Sequence, residues 1–368
     1  MKIGVLTMHA VINYGSLLQA YATQYILEKL GHDVEIIDYQ FPNQYQFSHG
    51  CPHYTMRFYN KVARLFRIKP RHRLEFRIRR FMKSHLHLSR KYDYETIHHD
   101  APVYDVYMTG SDQVWNTHHT YGDPTFLLDF APPRARRWAF SPSIANSGIP
   151  ANVRGLFISQ LSKYEQISVR ENGGREIIQK LIGRDVEVTL DPTLMLSREE
   201  WLEVAGQSPK SLRNRRYVLL YMMSYAFDPK PYIYELLASV QKLLDCEVIT
   251  FTPIPKEVGL RHVTCLSDAS PEMFIHLFAS AEAVVTSSFH GTAFAVNLRR
   301  PLYSIVSKEA VGDDRQRSLL KQVSLEGSII EKGTPTDQIQ VPSFEERKNA
   351  IHLLELLKKE SVDFLTRI

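Results

Sequence analysis

The 368-residue sequence is poor in cysteine: it has three, Cys51, Cys246 and Cys265, odd in number and far apart. That usage argues against a disulfide framework and a cysteine-based zinc site, and fits a reducing compartment. Long apolar runs are also missing. The most apolar, Tyr217 to Phe227, falls short of the roughly 18 residues a membrane-crossing helix needs and reads as a buried strand. The opening, MKIGVLTMHA, has one lysine and then a strand pattern. It lacks the apolar core and cleavage site of a secretion signal, so a cytoplasmic location is expected. There is no G-x-G-x-x-G loop, no internal repeat, no low-complexity tract and no H-x-x-H pair or carboxylate cluster that demands a metal. No metal and no cofactor are therefore expected.

What is present is an ordinary globular composition, 44% hydrophobic and 23% charged, at a length that suits two domains. The net charge of +5 is unevenly spread. Arg57 to Lys91 holds 13 Lys or Arg against one acid, Glu75, a local +12, so the rest of the chain carries 5 − 12 = −7. Phe58, Val62, Leu65 and Phe66 follow helical spacing, and so do Leu74, Ile78, Phe81 and Met82, with Pro70 between the sets. A basic insert of two short helices is expected. It suits either helices packed on the core with solvated charges or a surface drawn to anionic lipid or an anionic substrate. No nucleic-acid-binding motif accompanies it, so nucleic acid is not an expected partner.

The remaining pattern alternates strand and helix. Ile3 to Leu6, a turn over His9 to Tyr14, a helix over Gly15 to Leu30 stopped by Gly31, and a strand over Val34 to Ile37 make a βαβ unit. Further strands are expected at Val103–Met108, Trp138–Phe140, Gln166–Val169 and Val186–Leu190. A second series begins at Tyr217 and runs through strands near Val248, Ala283 and Leu302. The polar stretch Ser208 to Arg216 separates the series. The fold class expected is α/β: a Rossmann-like domain over 1–207 carrying the basic insert, a second over 217–342, and a C-terminal helix over 343–368, with a cleft between the domains as in the GT-B arrangement.

Motifs cluster at strand ends. Thr286-Ser287-Ser288-Phe289-His290-Gly291-Thr292 follows an apolar strand and opens a helix, where free amides and the helix dipole favour an anion. Gly291 permits close approach of a ligand to backbone, and His290 supplies a proton or a charged hydrogen bond. The same residues also suit a serine N-cap beside an uninvolved histidine. Gly110-Ser111-Asp112-Gln113-Val114-Trp115-Asn116 offers an acid or base in Asp112 and a sugar platform in Trp115 and Asn116, or a plain Asx turn with a packed tryptophan. His9, Asn13 and Tyr14 lie in the first βα turn. Arg170, in Ser168-Val169-Arg170-Glu171, can clamp an anion or pair with Glu171. Lys308, Arg315 and Arg317 trail the His290 segment and add positive charge or are simply solvated.

Taken in order, NYGSLLQAYA (Asn13 to Ala22), TGSDQVWN (Thr109 to Asn116), SVRE (Ser168 to Glu171), DPTLML (Asp191 to Leu196) and TSSFHGTAFAVNLRRP (Thr286 to Pro301) make the chain resemble the polysaccharide pyruvyl transferase family. The resemblance implies a GT-B-like fold. It also implies transfer of a pyruvyl group from phosphoenolpyruvate to a pair of hexose hydroxyls as a cyclic ketal, in bacterial capsule, exopolysaccharide or cell-wall glycan synthesis. It associates His290 with the donor, together with basic residues for which Arg170 and Lys308 are the matches. The donor site expected is Arg170, Ser287, Ser288, His290, Gly291, Lys308 and Arg317. The acceptor site expected is His9, Asn13, Tyr14, Ser111, Gln113, Trp115 and Asn116, with His290 and Asp112 as the catalytic pair. The acceptor that the resemblance implies is a galactose-like or N-acetylmannosamine-like sugar, free or carried on a polyprenyl diphosphate. In the second case the basic insert would hold the enzyme at the inner face of the cytoplasmic membrane.

Two rival readings share the pattern. A nucleotide-sugar glycosyltransferase uses the same fold, but its retaining members often carry an E-x7-E pair, and none lies between Tyr217 and Pro342. A non-enzymatic glycan-binding protein would have no need of Asp112, Arg170 and His290.

Overall fold

The computed structural model describes residues 1–49, 69–308, 313–339 and 343–368. Thirteen described strands form two wholly parallel sheets. The first contains β1 (Lys2–Leu6), β2 (Asp33–Tyr39), β3 (Leu88–Tyr92), β4 (Val106–Thr109), β5 (Arg136–Ala139), β6 (Gln166–Val169) and β7 (Glu187–Val188), in the order β3-β2-β1-β4-β5-β6-β7. The second contains β8 (Tyr217–Tyr221), β9 (Glu247–Thr250), β10 (Val263–Cys265), β11 (Ala283–Thr286), β12 (Leu302–Val306) and β13 (Ile329–Glu331), in the order β10-β9-β8-β11-β12-β13. Helices cover both faces of such sheets, so central strands read as unbroken apolar runs. Every residue of β8 (YVLLY) and β11 (AVVT) is buried.

In each sheet the strand order reverses once, between β1 and β4 and between β8 and β11. A crevice opens at such a point, at the carboxyl ends of the strands. The four loops that leave these strands carry the motifs around Asn13, Asp112 and His290, and the residue Tyr225.

The helix after β1, Tyr14–Lys29, is capped by Asn13, whose side chain accepts from the amides of Gly15 at 2.8 Å and Ser16 at 3.3 Å. It also joins the two halves. The Tyr14 ring stacks on Phe274 with centroids 4.6 Å apart, and its hydroxyl donates to the Ala269 carbonyl at 2.7 Å. Asn297 spans the same junction from the second half, donating to the carbonyls of Thr193 (2.8 Å) and Leu196 (2.9 Å).

Three strands were not expected. Leu88–Tyr92 lies inside the basic stretch yet forms edge strand β3, pairing with β2, so the insert is not helical to its end. Strands β10 and β13 have three residues each, too few for a period-2 pattern to register. The helix Pro70–His85 buries Ile78 and Phe81, and the Phe81 ring meets Tyr21 at 5.9 Å. The helix expected around Phe58 to Phe66 lies outside the described residues, as does Cys51. Among the described residues no helix is long and apolar enough to cross a membrane.

The last helix, Phe344–Leu365, contacts the His290 helix of the second half and returns to the first sheet. Fully buried Phe364 lies against Trp138 at 5.4 Å and Phe140 at 6.2 Å, and Ser361 Oγ accepts from the Leu190 amide at 3.0 Å. Truncating a buried phenylalanine removes transfer energy and leaves a cavity. Phe364→Ala should cost about 3–5 kcal/mol in urea unfolding. A loss under about 1 kcal/mol would show that this helix does not hold the first half together.

Candidate active site

A cavity of about 390 Å³ lies between the sheets where the four switch-point loops meet. From the first half it is lined by Asn13, Ser16, Asp112, Gln113, His118 and His119, and from the second by Tyr225, Ser287, Ser288, His290, Asp313 and Arg315.

The His290 wall follows from local capping. Ser288 has extended backbone and caps the helix Phe289–Asn297, its Oγ accepting from the Gly291 amide at 3.3 Å. Helix geometry leaves the first-turn amides without intrahelical acceptors. Ser287 Oγ donates to the Met223 carbonyl at 2.7 Å and accepts from the Met223 amide at 2.9 Å, which joins the β11 loop to the β8 loop.

His290 is held from two sides. Across the domain junction it meets Gly15, where an added Cβ would sit 2.1 Å from Nδ1, so only glycine fits. Behind it, Nε2 is buried without a hydrogen-bond partner and lies 3.6 Å from Asp191 Oδ2. Asp191 is itself buried. Its Oδ2 accepts from Arg170 Nη1 at 2.7 Å and Ser111 Oγ at 3.0 Å, and its Oδ1 from the Thr193 amide at 2.9 Å and Thr193 Oγ1 at 2.6 Å. Burial pushes its carboxyl up, but His290, Arg170 and Thr193 outweigh that and hold it well below the usual carboxylate range. Arg170 stacks on the Phe289 ring, 4.2 Å from its centroid.

Asp112 sits on the other side of the same helix start. Its φ of 74° is left-handed, a conformation that asparagine and aspartate tolerate better than other non-glycine residues. Its Oδ1 accepts from the Gln113 amide at 2.8 Å and its Oδ2 from Ser16 Oγ at 2.5 Å. Neighbouring residues of one helical turn, Gly15 and Ser16, thus touch His290 and Asp112 respectively. The cation on the cavity wall is Arg315, buried and paired in two-pronged fashion with Asp313 at 2.7 and 2.6 Å. Tyr225 reaches across the cleft, its hydroxyl accepting from Asn13 Nδ2 at 3.2 Å and its ring meeting His119 at 6.3 Å.

The expected residues divide accordingly. Asn13, Asp112, Gln113, Ser287, Ser288 and His290 line the cavity. The others do not. Trp115 is fully buried in the first-half core, its Nε1 donating to the Phe126 carbonyl at 3.2 Å, because its bulk fills the space beside Tyr164. Asn116 caps a short helix and binds Gln113 and Asn146. His9 is buried against Asp38 at 3.1 Å, and Tyr14 belongs to the domain junction. Ser111 supports Asp191 from behind. Gly291 serves packing instead of ligand approach: a Cβ there would meet Thr286 Oγ1 at 2.2 Å. Arg170 backs Asp191 and does not face the cavity. Arg317 turns outward to Glu331 at 2.8 Å, and Lys308 is exposed away from the lining.

With this geometry in place, the sequence matches the family model for polysaccharide pyruvyl transferase over residues 13–309. The chain belongs to the polysaccharide pyruvyl transferase family. The matched span includes every motif around the cavity except Asp313 and Arg315. No curated relative matches the sequence. Among solved structures, Arabidopsis thaliana UGT89C1 complexed with UDP-L-rhamnose is 10% identical over 100% of this chain and 98% of its own, with a TM-score of 0.54. The UDP-GlcNAc 2-epimerase from Methanocaldococcus jannaschii is 13% identical over 96% of this chain and 92% of its own, with a TM-score of 0.50. At such identity these likenesses show the fold alone, the GT-B arrangement of two parallel-sheet domains. Membership in the family makes the protein a pyruvyl transferase with a sugar or polysaccharide acceptor.

Gly15, Ser16, Asp191, Tyr225 and His119 were not among the expected site residues. The NYGS and DPT motifs carried the signal for three of them, but spacing alone could not say what those side chains touch. Two measurements follow. Gly15→Ala should fold yet displace His290 and cut turnover at least about tenfold, since a 1 Å misplacement within a site costs up to roughly 10²-fold. An unchanged rate would mean that the contact is slack. Burial, assisted by Arg315, holds His119 below its usual value near 6.5, against the pull of Asp112. In a histidine NMR titration it should therefore be neutral at pH 7, and a midpoint above 6.5 would contradict the site as described.

Proposed function

We propose that the enzyme transfers the pyruvyl group of phosphoenolpyruvate to a hexose hydroxyl pair as a cyclic ketal, in bacterial capsule or exopolysaccharide synthesis. The acceptor is galactose-like or N-acetylmannosamine-like. The observation that carries this reading is the convergence on one cavity of an anion-suited wall and a carboxylate. The wall is His290, the first-turn amides of its helix and Arg315; the carboxylate is Asp112, held by Ser16.

The donor brings a phosphate and a carboxylate, roughly three negative charges, which a guanidinium and a helix N-terminus suit. One acceptor hydroxyl loses its proton to Asp112 and attacks C2, while C3 takes a proton from solvent and becomes a methyl group, the proton on Asp112 returning to solvent. Phosphate departs with a proton from His290, and the second hydroxyl closes the ring. The two hydroxyl protons given up match the two taken by C3 and phosphate, so no cofactor is needed for balance. Each proton transfer by a placed side chain contributes roughly 10²–10⁴-fold.

A lipid-linked acceptor gives the basic helix a part to play at the cytoplasmic membrane face. Arg73 and Arg77 of that helix are engaged by Asp268, whereas Arg71, Arg80 and Lys83 are exposed. Those three cations supply the attraction to anionic head groups.

The test is phosphate release from phosphoenolpyruvate with a panel of galactosides and N-acetylmannosaminides, free and lipid-linked. Acceptor-dependent release is expected, with a loss of about 10²-fold or more in His290→Ala and Asp112→Asn. Thermal stabilisation by nucleotide sugars and not by phosphoenolpyruvate would favour a glycosyltransferase instead. In liposome flotation the protein should rise with anionic vesicles and not with neutral ones. Equal behaviour would remove the membrane from the account.

A further inference from the structure

His290 has two ring nitrogens in different surroundings, and which of them meets the substrate depends on which one the protein holds in a fixed hydrogen bond. Nε2 is buried and lacks a hydrogen-bond partner; the acceptor nearest to it is Asp191 Oδ2, 3.6 Å away. Nδ1 has no hydrogen-bond partner among the described residues either, but it is not among the buried unpaired atoms, and His290 lines the cavity. The ring therefore turns Nε2 inward towards Asp191, and Nδ1, packed beside the bare Cα of Gly15, is the nitrogen on the cavity side.

Asp191 is unusually well fixed for a residue that touches no cavity. Arg170 and both polar groups of Thr193 donate to its two oxygens, and Ser111 Oγ lies 3.0 Å from Oδ2 with its one proton shared with the Ser141 carbonyl at 2.9 Å. Arg170 and Ser111 come from other segments of the chain, and Thr193 from the turn that Asp191 itself caps. Arg170 is in turn fixed by its stack on Phe289, the residue before His290. A carboxylate anchored this firmly orients whatever donor reaches it, and it stabilises positive charge that develops on that donor.

We propose that Asp191 is the positioning residue of His290: it accepts from Nε2–H, and so presents Nδ1 to the cavity as the nitrogen that takes up a proton to form the imidazolium and then gives that proton to the departing phosphate. Arg170 and Ser111 act one layer further back, by holding the carboxylate. The 3.6 Å separation shortens to a hydrogen bond when the cavity fills, as catalytic contacts commonly tighten in the substrate complex. Only the kinetic part of this inference rests on the function proposed above; the tautomer does not.

The experiment is long-range ¹H–¹⁵N correlation on histidine-labelled protein, at a pH where His290 is neutral, with its signals assigned by their loss in His290→Gln. The wild type should show the Nε2–H tautomer. Asp191→Asn, which keeps the shape and loses the charge, should shift the signal towards Nδ1–H or a mixture. An Nδ1–H ring in the wild type, or no change in Asp191→Asn, overturns the proposal. With phosphoenolpyruvate turnover as readout, Asp191→Asn should lower kcat roughly 10²-fold while KM changes less than about threefold, and Asp191→Glu should recover part of the loss. A wild-type kcat in Asp191→Asn also overturns it. Should Asp191→Asn fail to fold, Ser111→Ala is the milder variant, expected to lower kcat up to about tenfold with the Nε2–H signal weakened; unchanged tautomer and kcat there count against the proposal. If the wild type does not turn over phosphoenolpyruvate, the proposed function fails while the tautomer still decides the role of Asp191.

Discussion

The site depends on one close approach. The first helix of one half and the His290 helix of the other meet where Gly15 has no side chain, and a single methyl group there would overlap the imidazole. The side chains at the cleft are arranged around that contact: Ser16 reaches Asp112 from the next position, Asn13 reaches Tyr225 from two positions earlier, and Asp191 stands behind the ring. Tyr14, between the two, buries its ring in the second half. A four-residue stretch thus caps a helix, seals a domain junction and sets the distance between a histidine and a carboxylate.

Behind this surface lies a buried charge network, which is costly unless its members satisfy one another. Arg170, Asp191 and Glu171 are all almost fully buried. Glu171 Oε1 accepts from Ser143 Oγ at 3.0 Å and from the Ile144 and Ala145 amides at 2.8 and 3.2 Å, while burial pushes its carboxyl up against the opposing pull of Arg170. A carboxylate with several fixed donors cannot wander, and rigidity of that kind is what precise placement of an imidazole requires.

Much of the fold was legible because parallel strands buried on both faces write themselves as apolar runs between helical patterns; β8 and β11 are examples. Strands β10 and β13 were not, since three residues carry no period, and β3 was hidden inside a run of cations whose charge suggested a solvated helix. At the site, His290 could be read because it follows a strand and opens a helix, a placement the local sequence specifies. Asp191 could not: its DPT sequence reads as a helix cap, which it is, and its approach to a histidine in the other half is a property of the tertiary structure. Trp115 misled for a related reason. A tryptophan beside polar residues resembles a sugar platform, yet whether the ring faces a cleft or a core is decided by the volume available around it. Arg317 and Arg315 stand two residues apart on one helix, so which of them faced the cavity could be settled only by the helix's rotation.

The course of the last helix has a mechanical consequence. The chain passes from the first half to the second once before β8, and the helix Phe344–Leu365 carries it back, touching the His290 helix on the way and ending against Trp138 and Phe140. A body tethered at one point can swivel in any direction; tethered at two, it keeps one easy axis, the line through both tethers. Relative motion of the halves is thereby confined chiefly to rotation about that line, and shear, which would slide His290 past Gly15, is resisted by covalent structure.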